Sequence, residues 1–291
     1  MEKSRTPIIP YIRFGSSLNK SLSNFSFHTK VQKYMWSFSG RFAVYFCGLF
    51  LLSILVPYTI SLVNDEVKPL LPSLTYAGSG TMRSGLASIG MFFTAIVGSL
   101  MISVRYVCTS GLNENEMWKL TLLNKLGLAV GYVFFSGFVI LASFPIKSDN
   151  SPVEIWENPV YLAHMVGAFL VFFFGAFYLS IQTVISLFYY DQNRMLVWIR
   201  FVIFIICAVC FITSSLSTLP KSQKTFESKN LDTGVFSKLF AQQKLIASIC
   251  EWILVFFFAM FFLTFVKEGK SVETSISFRQ VTTNEQITVL T

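Results

Sequence analysis

Charge is scarce in this sequence. Of its 291 residues, 13% are Asp, Glu, Lys or Arg, whereas 53% are hydrophobic and 32 are phenylalanine. A soluble domain of this size carries about 25% charged residues, so the composition excludes an ordinary soluble domain and indicates a polytopic membrane protein. The net charge of +8 does not predict a nucleic-acid partner, because the basic residues lie mostly in tails and loops beside apolar runs.

Groups that catalyse reactions or bind metals are also few. The chain has two histidines, His28 and His164, and it contains neither a glycine-rich phosphate loop nor an H-E-x-x-H motif. All five cysteines lie inside or at the edge of apolar runs, which argues against a disulfide framework. Cys207 and Cys210 have C-x-x-C spacing, but the polar surroundings of a redox or zinc site are missing, which favours small packing residues. We predict no enzymatic activity, no metal and no cofactor.

Long apolar runs are what the chain has in abundance. Six of them reach the length of about 20 residues that a helix needs to cross the hydrocarbon core. They lie at about 42–63, 86–107, 122–145, 160–189, 196–219 and 245–266. No stretch alternates with the period of a strand, and helices leave no backbone group unpaired in lipid. The sequence therefore predicts an all-α integral membrane protein, a six-transmembrane-helix bundle within residues 42–267.

The lysines and arginines predict the orientation of this bundle. Residues 1–41 contain seven of them against the single acid Glu2, and such an excess marks the cytoplasmic side. We expect a flexible cytoplasmic tail there and, after six spans, a second cytoplasmic tail at 268–291. The connection at 220–244 departs from the rule, because it holds five lysines and yet must face outward.

One carboxylate lies within the last apolar run. Glu251 is about 9 Å from the outer end of this run at 1.5 Å per residue, and His164 is about 6 Å from the outer end of the fourth run. A charge in lipid is costly, and a hydrogen bond or ion pair between the two would lower the cost for both. We predict that they form a polar clasp in the outer leaflet. A role of the pair as a proton relay is the alternative.

Further polar residues gather at the inner ends of the runs. They are Arg105, Asn124, Lys125, Gln182 and Arg200. Snorkelling of the long side chains toward the interface explains the three cations, and a site for an anionic lipid headgroup at the cytoplasmic leaflet is the alternative. Small residues at helical spacing predict close helix packing. They are Gly127, Gly131, Gly167 and Gly175.

Several short motifs resemble one family of membrane proteins. The fourth run contains His164-x-x-Gly167-Ala168, Gly175-x-x-Tyr178 and Gln182-Thr183, and the sixth contains Cys250-Glu251-Trp252 before Phe-rich sequence. The third has Asn124-x-x-Gly127-x-x-x-Gly131 and Ala142-Ser143-Phe144, and the second ends in Arg105-Tyr106. In this order they resemble the DNA-damage-regulated autophagy modulators within the FRAG/DRAM/SFK group. Thr81-Met82-Arg83-Ser84 stands where the family typically has a Pro-Glu pair, so the chain is a divergent member.

The resemblance implies a six-span regulator without enzymatic activity that acts through membrane lipids and through protein partners not yet identified. Autophagy modulators of this kind act at lysosomal or endosomal membranes, and this is the location we expect. Relatives of the SFK type imply an alternative role at the plasma membrane in phosphoinositide signalling or lipid asymmetry. The FRAG branch implies lipid remodelling of GPI anchors in the Golgi. A small proton-coupled transporter is a further alternative, although no internal repeat of the transporter type is visible.

Overall fold

A computed structural model gives the architecture. It describes residues 17–65, 74, 81–113, 117–145, 159–189, 194–218 and 245–267. The helices are Ser17–Val63, Thr81–Leu112, Trp118–Ser143, the consecutive segments Pro159–Phe169, Leu170–Phe174 and Gly175–Tyr189, then Arg194–Thr218 and Leu245–Lys267. The three consecutive segments form one helix. We call the membrane-crossing parts of the six helices the first to sixth spans.

The six-span prediction is confirmed, since each of these helices is long and apolar enough to cross a membrane. The described residues contain no strand. The side of the membrane on which each terminus lies stays a prediction. The predicted C-terminal tail at 268–291 and the lysine-rich connection at 220–244 lie outside the described residues.

The first helix is much longer than the apolar run that it contains. It begins at Ser17 and ends at Val63, a length of 47 residues, whereas its membrane-spanning part is Gly40–Val63. The helix thus includes residues 17–39 of the predicted tail, and the flexibility of that tail stays a prediction. Residues 16–39 contain neither glycine nor proline, so no strong helix breaker stops the helix before it leaves the apolar run.

Hydrogen bonds from Asn113 shape the connection between the second and third spans. Its Oδ1 accepts from the backbone N–H of Met117 at 3.0 Å, and its Nδ2 donates to Oγ1 of Thr121 at 3.0 Å. The third helix begins directly afterwards at Trp118, four residues before the apolar run predicted at 122–145. Hydropathy misses this first turn because it contains Lys119 and Thr121.

The fourth span is interrupted near its middle by a π-helical turn, Leu170–Phe174. An α-helix continues on both sides, from Pro159 to Phe169 and from Gly175 to Tyr189. A π turn inserts one residue into an α-helix, so the faces before and after the turn point to different neighbours. The outer half packs on the third span at Gly167, and the inner half carries Gln182 toward the second span.

Aromatic rings of the sixth span fill the centre of the bundle. The ring of Phe262 lies 4.7 Å from Phe46 of the first span and 5.9 Å from Tyr178 of the fourth. Phe258 lies 6.0 Å from Phe134 of the third. Since lipid offers no hydrophobic drive for helix association, these close contacts and ring geometries hold the spans together. The sixth span is therefore the central element of the fold.

The two ends of the bundle differ in their polar residues. We call the end with Arg105, Asn124 and Arg200 the inner end, and the end with His164 and Glu251 the outer end, following the predicted orientation. Between them the outside of the bundle is covered with exposed apolar side chains, as a lipid-facing surface requires.

Candidate functional site

At the inner end, the guanidinium group of Arg105 lies inside the bundle. Its Nε donates to Oε1 of Gln182 at 2.6 Å, which joins the second span to the fourth. Its Cζ lies 3.8 Å from the ring centroid of Phe265 in the sixth span. Only 1% of Arg105 is exposed. A charge-assisted hydrogen bond and a cation–π contact both offset part of the cost of burying this charge.

Arg200 reaches the same aromatic ring from the fifth span. Its Nε donates to Oγ1 of Thr264 at 2.8 Å, and its Nη1 donates to Oγ of Ser186. Its Cζ lies 4.9 Å from the ring centroid of Phe265. Four spans thus meet through two arginines around one phenylalanine. We call the set the arginine layer; its members are Arg105, Gln182, Ser186, Arg200, Thr264 and Phe265.

Snorkelling does not describe these two arginines. Arg105 and Arg200 are 1% and 0% exposed, so their side chains turn into the bundle and not toward the interface. Inside the bundle, oxygen acceptors and an aromatic face surround each guanidinium. These contacts replace the hydrogen bonds that a guanidinium would make at the membrane interface. The arginine layer is therefore a buried connection between spans, and the headgroup contact suggested for these arginines stays a prediction.

The other two members of the predicted inner cluster lie apart from this layer. Asn124 is buried, and its Nδ2 donates to the backbone carbonyl of Tyr106 and to Oγ of Ser110, both at 2.9 Å. These bonds tie the third span to the inner end of the second. Lys125 is exposed. The structure thus brings together Arg105, Gln182 and Arg200, and it separates them from Asn124 and Lys125.

Asn124 and Lys125 instead line an open cavity of about 640 Å³ between the second and third spans. We call it the inner cleft. Its walls are formed by Thr109, Ser110, Asn113, Trp118, Leu120, Thr121, Leu122, Asn124 and Lys125. Most of these side chains carry a hydroxyl, amide or ammonium group. The cleft is thus a polar recess beside the apolar surface of the bundle.

At the outer end, Glu251 contacts the first outer connection. Its Oε2 accepts a hydrogen bond from the backbone N–H of Leu74 at 3.1 Å. Leu74 is partly buried and packs against the core. Nearby, Tyr58 and Trp252 place their rings 5.2 Å apart and join the first and sixth spans. The carboxylate therefore connects Leu74, between the first two spans, to the sixth span.

His164 has a different partner. Its Nδ1 lies 2.9 Å from the backbone carbonyl of Phe144, at the end of the third span. Phe144 follows the last helical residue of that span, so its carbonyl has no place in the helical ladder. Neither a hydrogen bond nor an ion pair joins His164 to Glu251 among the described residues. The structure gives each predicted clasp member a backbone partner of its own.

The four predicted packing glycines all lie at contacts between spans. A Cβ added at Gly175 would come within 2.7 Å of the Phe258 ring, and one at Gly131 within 2.6 Å of Ile102. Gly127 and Gly167 are tight as well, with nearest atoms at 3.2 and 3.0 Å. The sequence prediction missed further close approaches. They occur at Gly90, Gly98 and Gly137, where the nearest atoms would lie at 2.5, 2.1 and 2.9 Å.

The cysteine thiols lie inside the helical bundle. All five cysteines are free and buried. The Sγ of Cys47 donates to the backbone carbonyl of Ala259 at 3.3 Å, a contact between the first and sixth spans. Within the described ranges, no group of three or more His, Cys, Asp or Glu residues is arranged to hold a metal ion.

Sequence reasoning also missed partners whose side chains look unremarkable. Ser186, Thr264 and Phe265 belong to the arginine layer, but hydroxyls and aromatic rings are common in membrane helices and give no signal alone. The one available clue was geometric. Gln182 and Ser186 are four residues apart, so they share a helix face.

The membrane domain of this chain is similar in sequence to known proteins. A family model described as Frag1/DRAM/Sfk1/Cwh43P N-terminal domain matches residues 38–268, which include all six spans. DNA damage-regulated autophagy modulator protein 1 of Xenopus laevis is 27% identical over 228 residues, covering 77% of this chain and 87% of the relative. DNA damage-regulated autophagy modulator protein 2 of Homo sapiens is 28% identical over 228 residues, covering 74% and 78%.

A third relative has a different protein name that also refers to autophagy. Modulator of macroautophagy TMEM150B of Danio rerio is 24% identical over 218 residues, covering 74% of this chain and 79% of the relative. No solved structure matches the chain. The family model spans most of the sequence and all of the membrane domain, which confirms the resemblance carried by the motifs. The chain belongs to the Frag1/DRAM/Sfk1/Cwh43P family of membrane proteins.

Proposed function

We propose that this protein is a multi-pass membrane regulator of autophagy that acts at the lysosomal or endosomal membrane without chemistry of its own. The observation that carries the proposal is the set of relatives, which are named as modulators of autophagy or of macroautophagy. They align with three quarters of this chain, including the membrane domain. Anionic lipids of the cytoplasmic leaflet and other proteins would be its partners.

The polar interior supports a regulatory role more than a catalytic one. Arg105 and Arg200 bond side chains of neighbouring spans, and Glu251 bonds the backbone of a loop. These groups are engaged in holding the bundle together, whereas a catalytic constellation needs a nucleophile or base beside a space for substrate. The protein would therefore act through its surfaces and its position in a membrane.

The transporter alternative has less support. A proton relay needs titratable groups that exchange protons directly or through water. His164 and Glu251 were the candidates, and each is bonded to a backbone group of a different element. The alternative role at the plasma membrane draws on the Sfk1 part of the family description alone.

Autophagic flux and location together test the proposal. In cells lacking the protein, delivery of a cytosolic cargo reporter to acidic lysosomes should change, and re-expression of the full chain should restore it. The tagged chain should co-localise with a lysosomal marker. Residence at the cell surface or in the Golgi, together with unchanged flux, would contradict the proposal and favour the corresponding branch of the family.

A matched pair of variants separates function from folding in that experiment. Arg200→Ala removes a buried arginine of the arginine layer, whereas Arg194→Ala removes an exposed arginine of the same span. We expect Arg194→Ala to restore flux fully. Arg200→Ala should restore it only in proportion to the amount of protein that reaches the lysosome.

A further inference from the structure

The inner cleft lies where lipid headgroups are found. Trp118, at its rim, begins the third span and is 69% exposed. Tryptophans at the ends of spans prefer the headgroup level of a membrane. The cavity of about 640 Å³ has the size of a small-molecule site. Its lining includes Leu122, an apolar side chain that is 57% exposed, so the acyl chains of a lipid whose headgroup enters the cleft could stay on the apolar outside of the bundle.

The walls of the inner cleft are held in place by hydrogen bonds. Asn113 bonds Met117 and Thr121, and Asn124 bonds Tyr106 and Ser110. These bonds connect the end of the second span to the start of the third. A ligand would therefore find the site already formed and would not have to order it.

Asn124 presents an unused acceptor to the inner cleft. Its side chain is only 4% exposed and lines the cavity. Both of its hydrogen bonds use Nδ2, and the orientation of the amide is fixed because the carbonyl of Tyr106 can only accept. Among the described residues, no donor reaches Oδ1 of Asn124. An amide oxygen that lines a cavity and has no donor from the protein can accept a hydrogen bond from a bound molecule, so the inner cleft favours a ligand that donates one.

One charged side chain lies among the lining residues of the inner cleft. Lys125 lines it and supplies an ammonium group. Lys119 lies 5.9 Å from the Trp118 ring and does not line the cavity. One lysine suits a single phosphate and not a polyphosphate.

We propose that the inner cleft binds the headgroup of a glycerophospholipid that carries hydrogen-bond donors beside its phosphate, such as an amine or hydroxyls. The phosphate pairs with the ammonium of Lys125, and the donor bonds Oδ1 of Asn124. Phosphatidylcholine, which has the phosphate but no N–H or O–H donor, satisfies only the first contact. This selectivity goes beyond the proposed role in autophagy and does not depend on which membrane holds the protein.

Phosphatidylethanolamine and phosphatidylcholine with identical acyl chains provide the test, because they differ only in the methyl groups on the nitrogen. Full-length protein in detergent micelles is titrated with each lipid, and bound lipid is counted by native mass spectrometry. We expect phosphatidylethanolamine to bind about fivefold more tightly, the value of one net hydrogen bond of about 1 kcal/mol. Equal affinities for the two lipids would overturn the proposal.

Two variants locate the site. Lys125→Ala should weaken binding of both lipids about fivefold, since a lysine near a membrane surface contributes about 1 kcal/mol. Lys119→Ala is its control on the same helix and should leave binding within about twofold, a difference of less than 1 kcal/mol. Asn124→Leu should remove the preference for phosphatidylethanolamine over phosphatidylcholine.

Each of the other outcomes counts against the inner cleft. If Lys119→Ala weakens binding as much as Lys125→Ala, the lipids respond to general surface charge. If folded Asn124→Leu keeps the full preference, the donor is recognised elsewhere. Because Asn124 also holds the second span, its melting temperature is measured first. Should that variant fail to fold, the lysine pair and the lipid pair still decide the question.

Discussion

The carboxylate of Glu251, in the sixth span, accepts a hydrogen bond from the backbone amide of Leu74, 177 positions earlier in the chain. This bond connects the central helix of the bundle with the loop between the first two spans. Leu74 also packs its side chain on the core, so this residue is held by both polar and apolar contacts. A charged group near the end of a membrane helix here has a structural partner.

Replacement of Glu251 should show how much this bond contributes. Glu251→Leu removes the acceptor, and we expect a loss of about 1–3 kcal/mol in the free energy of unfolding, since the amide of Leu74 loses its partner. Glu251→Gln keeps a carbonyl oxygen and should lose less. Thermal unfolding of the three proteins in detergent measures the order. A Leu variant as stable as the native chain would show that the bond contributes nothing.

A double-mutant cycle between His164 and Glu251 should show additivity. Each side chain bonds a different backbone group, so the two substitutions to alanine should sum to within about 0.5 kcal/mol. Unfolding of both single variants and the double variant supplies the four free energies. A coupling energy above about 1 kcal/mol would restore the polar clasp that the sequence suggested.

The arginine layer should be sensitive to truncation. Arg200→Ala loses two hydrogen bonds of about 0.6 kcal/mol each and a cation–π contact of about 1 kcal/mol, so we expect about 2 kcal/mol of destabilisation. Arg194→Ala, at an exposed position of the same span, should change stability by less than about 0.5 kcal/mol. Melting temperatures in detergent compare the two. Similar effects at both positions would mean that burial of Arg200 gives no net stabilisation.

Close helix contact predicts different results for two glycines. At Gly137 an added Cβ would meet the backbone carbonyl of Gly167 at 2.9 Å, and backbone moves less easily than a side chain. Gly137→Ala should therefore destabilise the protein by about 1–3 kcal/mol. At Gly48 nothing lies within 4 Å, so Gly48→Ala should be neutral or stabilising. A tolerated Gly137→Ala would show that the third and fourth spans can separate at little cost.

The orientation of the chain can be tested at its least regular connection. Residues 220–244 hold five lysines and yet face outward in the six-span topology. A glycosylation reporter inserted near Ser228 should be modified, whereas one placed in residues 1–16 should not. The reverse pattern would invert the topology and place the inner cleft on the opposite side of the membrane.

Sequence predicted the elements of this fold well, for a physical reason. Spans must be helical and apolar over a fixed length, so the apolar runs alone located all six helices. It failed at their ends. The first helix begins at Ser17 and the third begins at Trp118. Polar residues can continue a helix beyond the apolar run, and the hydropathy of the sequence does not show that continuation.

The candidate site was less predictable, because it depends on which side chains meet. Depth along the helices suggested that His164 and Glu251 were neighbours, but equal depth does not decide rotation about the helix axis. Glu251 accepts from the backbone of Leu74 and His164 lies beside the carbonyl of Phe144, and backbone groups carry no residue-specific signal. The burial of Arg105 and Arg200 likewise depends on the position of Phe265 in another span.

The π-helical turn at Leu170–Phe174 divides the fourth span into two half-helices with separate angular registers. The outer half is set so that Gly167 meets the third span, and the inner half so that Gln182 and Ser186 meet the two arginines. Deletion of one residue within the turn would rotate one half against the other by about 100°. The number of residues in the turn, more than their identity, is therefore what keeps both interfaces aligned along a single helix.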